Sequence, residues 1–147
     1  MAAQSNPALA AEIVDQLFSM AELGRKRSYS PYSRFAVGAA ILTDNDEYIP
    51  GSNVENISYG ATICAERSAL LGVISHDAGK PLALAIVSNA ERPIWPCGEC
   101  LQVLMEFGPS MLVLTRGQNG IVETASVQDL LTNPFNTVLP PAKISPD

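Results

Sequence analysis

All three cysteines of the chain fall in two short motifs, Cys64-Ala65-Glu66-Arg67 and Pro96-Cys97-Gly98-Glu99-Cys100. That placement constrains the fold more than any other feature, because sulfurs that share a task must be brought to one point. A compact set of soft thiolates that includes a Cys-x-x-Cys pair is what Zn²⁺ prefers. Three protein ligands leave a tetrahedron one short, the arrangement of a catalytic zinc with an open position for water. Glu66 stands two residues after the first sulfur. If Cys64 opens a helix, this carboxylate reaches into the cavity beside the metal without ligating it. An activated water beside a carboxylate that moves protons is a hydrolytic centre. A closed structural zinc would need a fourth ligand. The sole histidine, His76, belongs at the far end of a helix begun by Cys64, a poor place for that ligand. A disulfide plus a free thiol fits less well, since Cys-x-x-Cys in a chain without a signal peptide points first to metal or redox work.

Around these motifs the sequence predicts an α-β-β-α-β-α-β-β-α order. Leu9, Ile13, Leu17, Met20 and Leu23 recur at three- and four-residue steps, which predicts an amphipathic helix over 8–27 with Asn6 and Pro7 at its cap and first position. Tyr29 to Arg34 is a turn-rich loop. Phe35 to Thr43 reads as an apolar strand, Asp44-Asn45-Asp46 as a hairpin turn, and Glu47 to Ser52 as its partner. A loop over 53–63 delivers the chain to Cys64, and 64–75 reads as a buried helix with Ala65, Ala69, Leu70, Val73 and Ile74 as its apolar surface. The apolar run 82–88 suits a central strand. A second loop, 91–96, leads into a helix over 97–107 stopped by Gly108 and Pro109. Strands over 111–115 and 121–124 and a short helix over 126–131, capped by Ser126, complete the pattern. Helices interspersed with strands predict an α/β layered domain with a mixed sheet.

Composition narrows the partner. The chain has 147 residues, suited to one domain over 1–147, with a core over about 8–135 and a Pro-rich tail over 136–147. Its net charge is −6 and its pI near 4.7. Nucleic-acid affinity comes from Lys and Arg on phosphates, so an acidic chain without a basic, aromatic-rich surface segment points to a small molecule and not to RNA or DNA. With 47% hydrophobic and 16% charged residues and a mean hydropathy of +0.14, the chain is apolar enough to predict burial of surface between subunits. No apolar run is long enough to span a membrane, and the N-terminus lacks signal-peptide features, which predicts a reducing, cytoplasmic setting.

The cysteine motifs follow the zinc-deaminase pattern, H-x-E then P-C-x-x-C, with Cys64 in place of the histidine. Ser30-Pro31-Tyr32-Ser33-Arg34-Phe35-Ala36-Val37-Gly38-Ala39 and Asn53-Val54-Glu55-Asn56-Ile57-Ser58-Tyr59-Gly60 add two further blocks in order. On these residues the sequence resembles the small, homotetrameric, zinc-dependent cytidine deaminases over about residues 10 to 135.

The resemblance implies a three-layer α/β/α fold with a mixed five-stranded sheet and the two zinc helices side by side against it. It implies one Zn²⁺ per chain held by Cys64, Cys97 and Cys100. Zinc-bound hydroxide would attack C4 of cytidine or 2′-deoxycytidine, with Glu66 as proton shuttle, releasing ammonia and the uridine product in pyrimidine salvage. By the same resemblance Arg67 donates to the thiolates, Asn53 and Glu55 bind the ribose 3′-hydroxyl, Phe35 packs on the base, and Ala65 offers its backbone to the pyrimidine edge. Tyr59 and Phe135 match positions near the pocket or lent by a neighbouring subunit. Gln102 matches a position near the second zinc helix. Plainer roles stay open: a surface salt bridge for Arg67, a loop network for Asn53 and Glu55, and a core strand position for Phe35.

The chain departs from the pattern at Leu101, where a basic residue is common, and at Glu99, where a small residue is common. Competing functions are a deaminase of a modified or N4-substituted cytosine nucleoside, with the Asn89–Trp95 loop shaping a roomier pocket, and a non-catalytic zinc-stapled binding protein.

Overall fold

The computed structural model describes residues 9–136. Helix α1 (Ala11–Lys26) is followed by strands β1 (Val37–Thr43) and β2 (Tyr48–Ser52), then α2 (Ala65–Ser75), β3 (Pro81–Ser88), α3 (Gly98–Phe107), β4 (Leu112–Arg116), β5 (Val122–Ser126) and α4 (Val127–Leu130). The sequence-based order holds, and a short 3₁₀ turn at Tyr59–Ala61 is added within the loop that descends to Cys64.

The five strands form one sheet in the order β2-β1-β3-β4-β5. Its pairs are antiparallel except β3–β4, which run parallel, so the sheet is mixed as expected. A parallel pair needs a crossover, and α3 is that crossover.

Side chains alternate across a strand, and here the alternation feeds two separate cores. Ala40, Leu42, Ala83, Ala85, Val87 and Leu114 pack with Leu17, Phe18 and Ala21 of α1. Ala39, Ile41, Leu84, Ile86 and Val113 pack on the opposite face with Ala69, Leu70 and Val73 of α2 and Leu101 and Leu104 of α3. Helices therefore cover both faces, giving three layers. Covering on both sides explains why β1 is buried at every position and β3 at most of them, on largely apolar sequences. Leu101, which breaks the family pattern, is a core residue.

Several boundaries differ from the expected ones. Helix α1 starts at Ala11, with Ala10 at the cap position and no capping side chain. The carbonyl of Ala10 takes the first helical bonds, from Ile13 and Val14; Asn6 and Pro7 lie outside the described residues. The fully buried stripe of α1 is Leu17, Phe18, Ala21 and Gly24, and Leu9, Ile13 and Met20 of the expected apolar face pack partly buried against the same cluster. Small residues set how closely the helix approaches: a Cβ on Gly24 would strike the carbonyls of Gly51 and Ala39, and one on Gly38 would strike the α1 backbone at Ala21 and Arg25. Helix α1 lies so close to the sheet that only hydrogen fits at these contacts. On α2, Ile74 is 49% exposed and so stands outside the core. Ser126 caps α4 as expected, accepting from the Asp129 N–H at 3.2 Å.

Candidate active site

Cys64 and Cys97 occupy equivalent places, each the N-cap residue of a helix packed on the same face of the sheet. Both have extended backbone, with φ/ψ of −70°/156° and −68°/164°, before the chain turns helical. Cys100 is on the first turn of α3, three residues after Cys97 and so on the same face. The three sulfurs lie within 4.8 Å of one another. Cys100 is buried, Cys64 half-buried and Cys97 exposed, so the cluster opens toward solvent on one side.

The electrostatics favour anionic sulfur here. Helix N-termini present free N–H groups and positive potential. The Cys64 thiol is pushed down to about 5, first by a hydrogen bond from Cys100 and then, against the effect of burial, by Arg67. Cys100, as the proton donor, is pushed up. The donor set suits zinc: three converging soft sulfurs, one already anionic, with no His, Asp or Glu completing a fourth ligand in the group among the described residues. His76 is exposed at the C-terminal end of α2, hydrogen-bonded to the Gly72 carbonyl, as its sequence position implied.

Glu66 is 4% exposed. Its Oε2 lies 3.9 Å from Cys100 Sγ. Burial, reinforced by the charge on Cys64, pushes its carboxyl up to about 7. A carboxyl poised there gives and takes a proton readily at neutral pH.

Arg67 makes contacts of two kinds, to a ligand sulfur and to an acidic side chain. Its Nη2 donates to Cys64 Sγ at 3.8 Å and to the Thr62 carbonyl at 3.3 Å. Its Nη1 pairs with Glu99 Oε1 at 3.0 Å. Glu99 thus has a partner that residue type alone did not reveal.

A cavity of about 260 Å³ opens over the sulfurs, walled by Phe35, Asn53, Glu55, Ala65 and Glu66 together with Cys64 and Cys97. Phe35 precedes β1 and is 37% exposed, which overturns the core-strand alternative. Asn53 is buried: its Oδ1 accepts from the Ser28 hydroxyl and, at 2.9 Å, from the Val37 N–H, while Nδ2 donates to the Phe35 carbonyl at 2.8 Å. Glu55 accepts from the Ser33 hydroxyl and from the N–H groups of Tyr32 and Ser33. Those bonds, the Ser33 hydroxyl foremost, hold its carboxyl below the usual carboxylate range. The loop network expected as the plainer role for this pair is therefore present.

Tyr59 lies outside that cavity. It lines an adjoining one of about 290 Å³ with Tyr32, and the two rings meet edge to face at 5.8 Å. Ser33, Glu55 and Thr62 border both cavities. Phe135 lines neither cavity and is 78% exposed. Gln102 grips the Phe135 backbone through two hydrogen bonds.

Sequence reasoning did not single out Ser33, Val37, Thr62, Ile94 or Trp95 individually as cavity residues. Ser33 and Val37 stand in the first family block and Ile94 and Trp95 in the loop expected to shape the pocket, whereas Thr62 carried no signal.

Three converging cysteine sulfurs on two neighbouring helix N-termini, with a buried carboxyl beside them, suit an open metal centre of hydrolytic type. The sequence profile described as the cytidine and deoxycytidylate deaminase zinc-binding region matches residues 11–116. A cytidine deaminase from Halalkalibacterium halodurans is 42% identical over 112 residues, covering 76% of this chain and 85% of the relative. One from Mycobacterium tuberculosis is 44% identical over 108 residues, covering 74% and 78%. Among solved structures, cytidine deaminase from Burkholderia pseudomallei superposes with a TM-score of 0.80 at 38% identity, covering 86% of this chain and all of that one (100%). The M. tuberculosis enzyme superposes with a TM-score of 0.73 at 40% identity, covering 84% and 97%. The chain belongs to the cytidine and deoxycytidylate deaminase zinc-binding family.

Proposed function

We propose that this protein is a zinc-dependent cytidine deaminase, converting cytidine and 2′-deoxycytidine with water to uridine and 2′-deoxyuridine plus ammonia. The observation that carries the reading is the placement of Glu66, buried beside three convergent sulfurs with its carboxyl pushed up to about 7. Cys64, Cys97 and Cys100 would hold the zinc, whose Lewis acidity makes water nucleophilic near neutral pH. Glu66 would take a proton from water as the water oxygen bonds to C4, and would give that proton to N3 of the ring. The same carboxylate would then carry the remaining proton of the new C4 hydroxyl to the amine, which leaves as ammonia while C4 becomes the carbonyl of the uridine product. Arg67 donates to Cys64 and offsets the negative charge of the sulfurs.

On the sugar side, a hydroxyl needs one acceptor and one donor. Glu55 uses three of roughly four acceptor positions, and Asn53 uses one of its two amide hydrogens. One acceptor and one donor remain at the cavity wall, which supports the pair as the 3′-hydroxyl site. Phe35 supplies an aromatic face for the base and Ala65 a backbone edge.

We infer further that the chain is one domain acting as a homotetramer in cytoplasmic pyrimidine salvage. Support comes from the exposed apolar side chains Tyr29, Tyr32, Val54, Ile57, Tyr59 and Phe135. Tyr59 and Phe135 would then complete sites across subunit contacts. Among the described residues no helix is long and apolar enough to cross a membrane.

Zinc content measured alongside the fall in cytidine absorbance, with and without a chelator, tests the reading. About one zinc per chain and chelator-sensitive turnover are expected. Bound zinc without turnover of cytidine or deoxycytidine would redirect the reading to a modified nucleoside.

A further inference from the structure

The Arg67 guanidinium joins the two helices that carry the sulfurs. Nη2 contacts the start of α2 through Cys64 Sγ and Thr62 O, while Nη1 contacts the first turn of α3 through Glu99. Nε is buried and makes no hydrogen bond among the described residues, so the plane of the group rests on those contacts alone. A guanidinium is a rigid fork, and anchoring one nitrogen sets the direction of the others. The Arg67 side chain is 15% exposed but that of Glu99 is 70% exposed. An ion pair so exposed contributes little to folding, which leaves the sulfurs as the place where its effect would register.

We propose that Glu99 is a positioning residue for metal retention. By holding Nη1 it keeps Nη2 on Cys64, and it ties the helix bearing Cys64 to the helix bearing Cys97 and Cys100. One ligand comes from one side of this tie and two from the other, and Cys97 stands at the solvent edge where a competing ligand would enter. The inference rests on the zinc reading above.

The test is the rate at which zinc-loaded protein loses metal to excess chromogenic chelator, alongside thermal unfolding of the metal-free forms. Glu99→Ala should lose zinc roughly tenfold faster, the low end for outer-shell partners of a metal ligand. Glu99→Gln keeps an oxygen acceptor without the charge and should fall between. Metal-free unfolding temperatures should coincide. Added salt should move the wild-type rate toward that of Glu99→Ala, because salt weakens a solvent-exposed ion pair. In an Arg67→Met background, Glu99→Ala should add nothing; the salt series decides independently if that background holds metal poorly. Wild-type rates in Glu99→Ala, or equal acceleration with and without Arg67, would overturn the inference alone. Wild-type protein that holds no zinc would overturn the metal reading with it.

Discussion

Gln102 holds Phe135 by its backbone: Nε2 donates to the Phe135 carbonyl and Oε1 accepts from the Phe135 N–H, both at 2.9 Å. A side-chain amide here takes the part of a neighbouring strand. It fastens the segment after α4 onto the first turns of α3, while the Phe135 ring remains outside. Gln102→Ala should cost about 1–3 kcal/mol at most for two such bonds. If Phe135 serves a neighbouring subunit, Gln102→Ala and Phe135→Ala should raise the KM for cytidine alike and leave zinc content unchanged. Steady-state kinetics with metal analysis checks this, and an unaltered KM in both variants would remove Phe135 from the site.

Glu66→Gln keeps the shape of the side chain but cannot carry a proton. Turnover of cytidine should fall by about 10²–10⁴-fold, the usual weight of general acid–base catalysis, with zinc still bound. Full activity in this variant would leave the proton transfers without their carrier.

The same residue gives metal-free protein a pH dependence of defined sign. Glu66 is pushed up to about 7 from an ordinary value of 4.5. The folded state therefore holds the proton more tightly, so the contribution of this group to stability is full below pH 4.5 and is lost as pH rises through 7. Glu66→Gln lacks that loss. Relative to it, metal-free wild type should weaken by about 3 kcal/mol between those limits, at 1.36 kcal/mol per unit. Urea unfolding of both proteins under reducing conditions with chelator, at pH 5 and pH 8, measures the difference; an equal gap at both values would contradict burial of this carboxyl.

Asn53, a lining residue of the cavity, binds three groups and uses one of its two amide hydrogens to do so. A substrate lacking the 3′-hydroxyl would leave the other hydrogen and a Glu55 lone pair unpaired. Loss of kcat/KM for 3′-deoxycytidine should be on the order of 10²–10⁴-fold, since sites built around a hydroxyl reject its absence strongly. Free cytosine should fare worse still. Comparable rates for all three would reduce Asn53 and Glu55 to loop braces.

Much of this architecture was legible because local signals agreed. Cys64 and Cys97 were readable as helix starts, each standing just before an apolar helical pattern, and the continuous run through Leu84 and Ile86 could only be a strand covered on both sides. Phe35 shows where such reading stops. It is part of an unbroken apolar stretch, yet Asn53 takes the Phe35 carbonyl and the Val37 N–H with its side chain, so regular pairing begins two residues later and the ring is left facing the cavity. A contact across 18 positions leaves no trace in local periodicity. The Arg67–Glu99 pair was hidden for the same reason, since it exists only once α2 and α3 are packed. The close approach of α1 to the sheet rests on Gly24 of the helix and Gly38 of β1, which a count of apolar residues on the helix does not weigh.

The one parallel strand pair, β3 with β4, turns the sheet into a ruler for the metal. Helix α3 is itself the connection between those strands, so the positions of Cys97 and Cys100 are measured off from the alignment of Leu84 against Val113. A slip of a single residue shifts a strand by about 3.3 Å. It also exchanges the two faces. Metal–ligand distances tolerate about 0.2 Å. An added residue in the loop before Pro96 can be absorbed by the loop, whereas one added inside β3 or β4 would leave a sheet standing with its sulfurs out of step. Tolerance to insertion should therefore change abruptly at the strand ends, and a map of it along the chain would trace the ruler's edges.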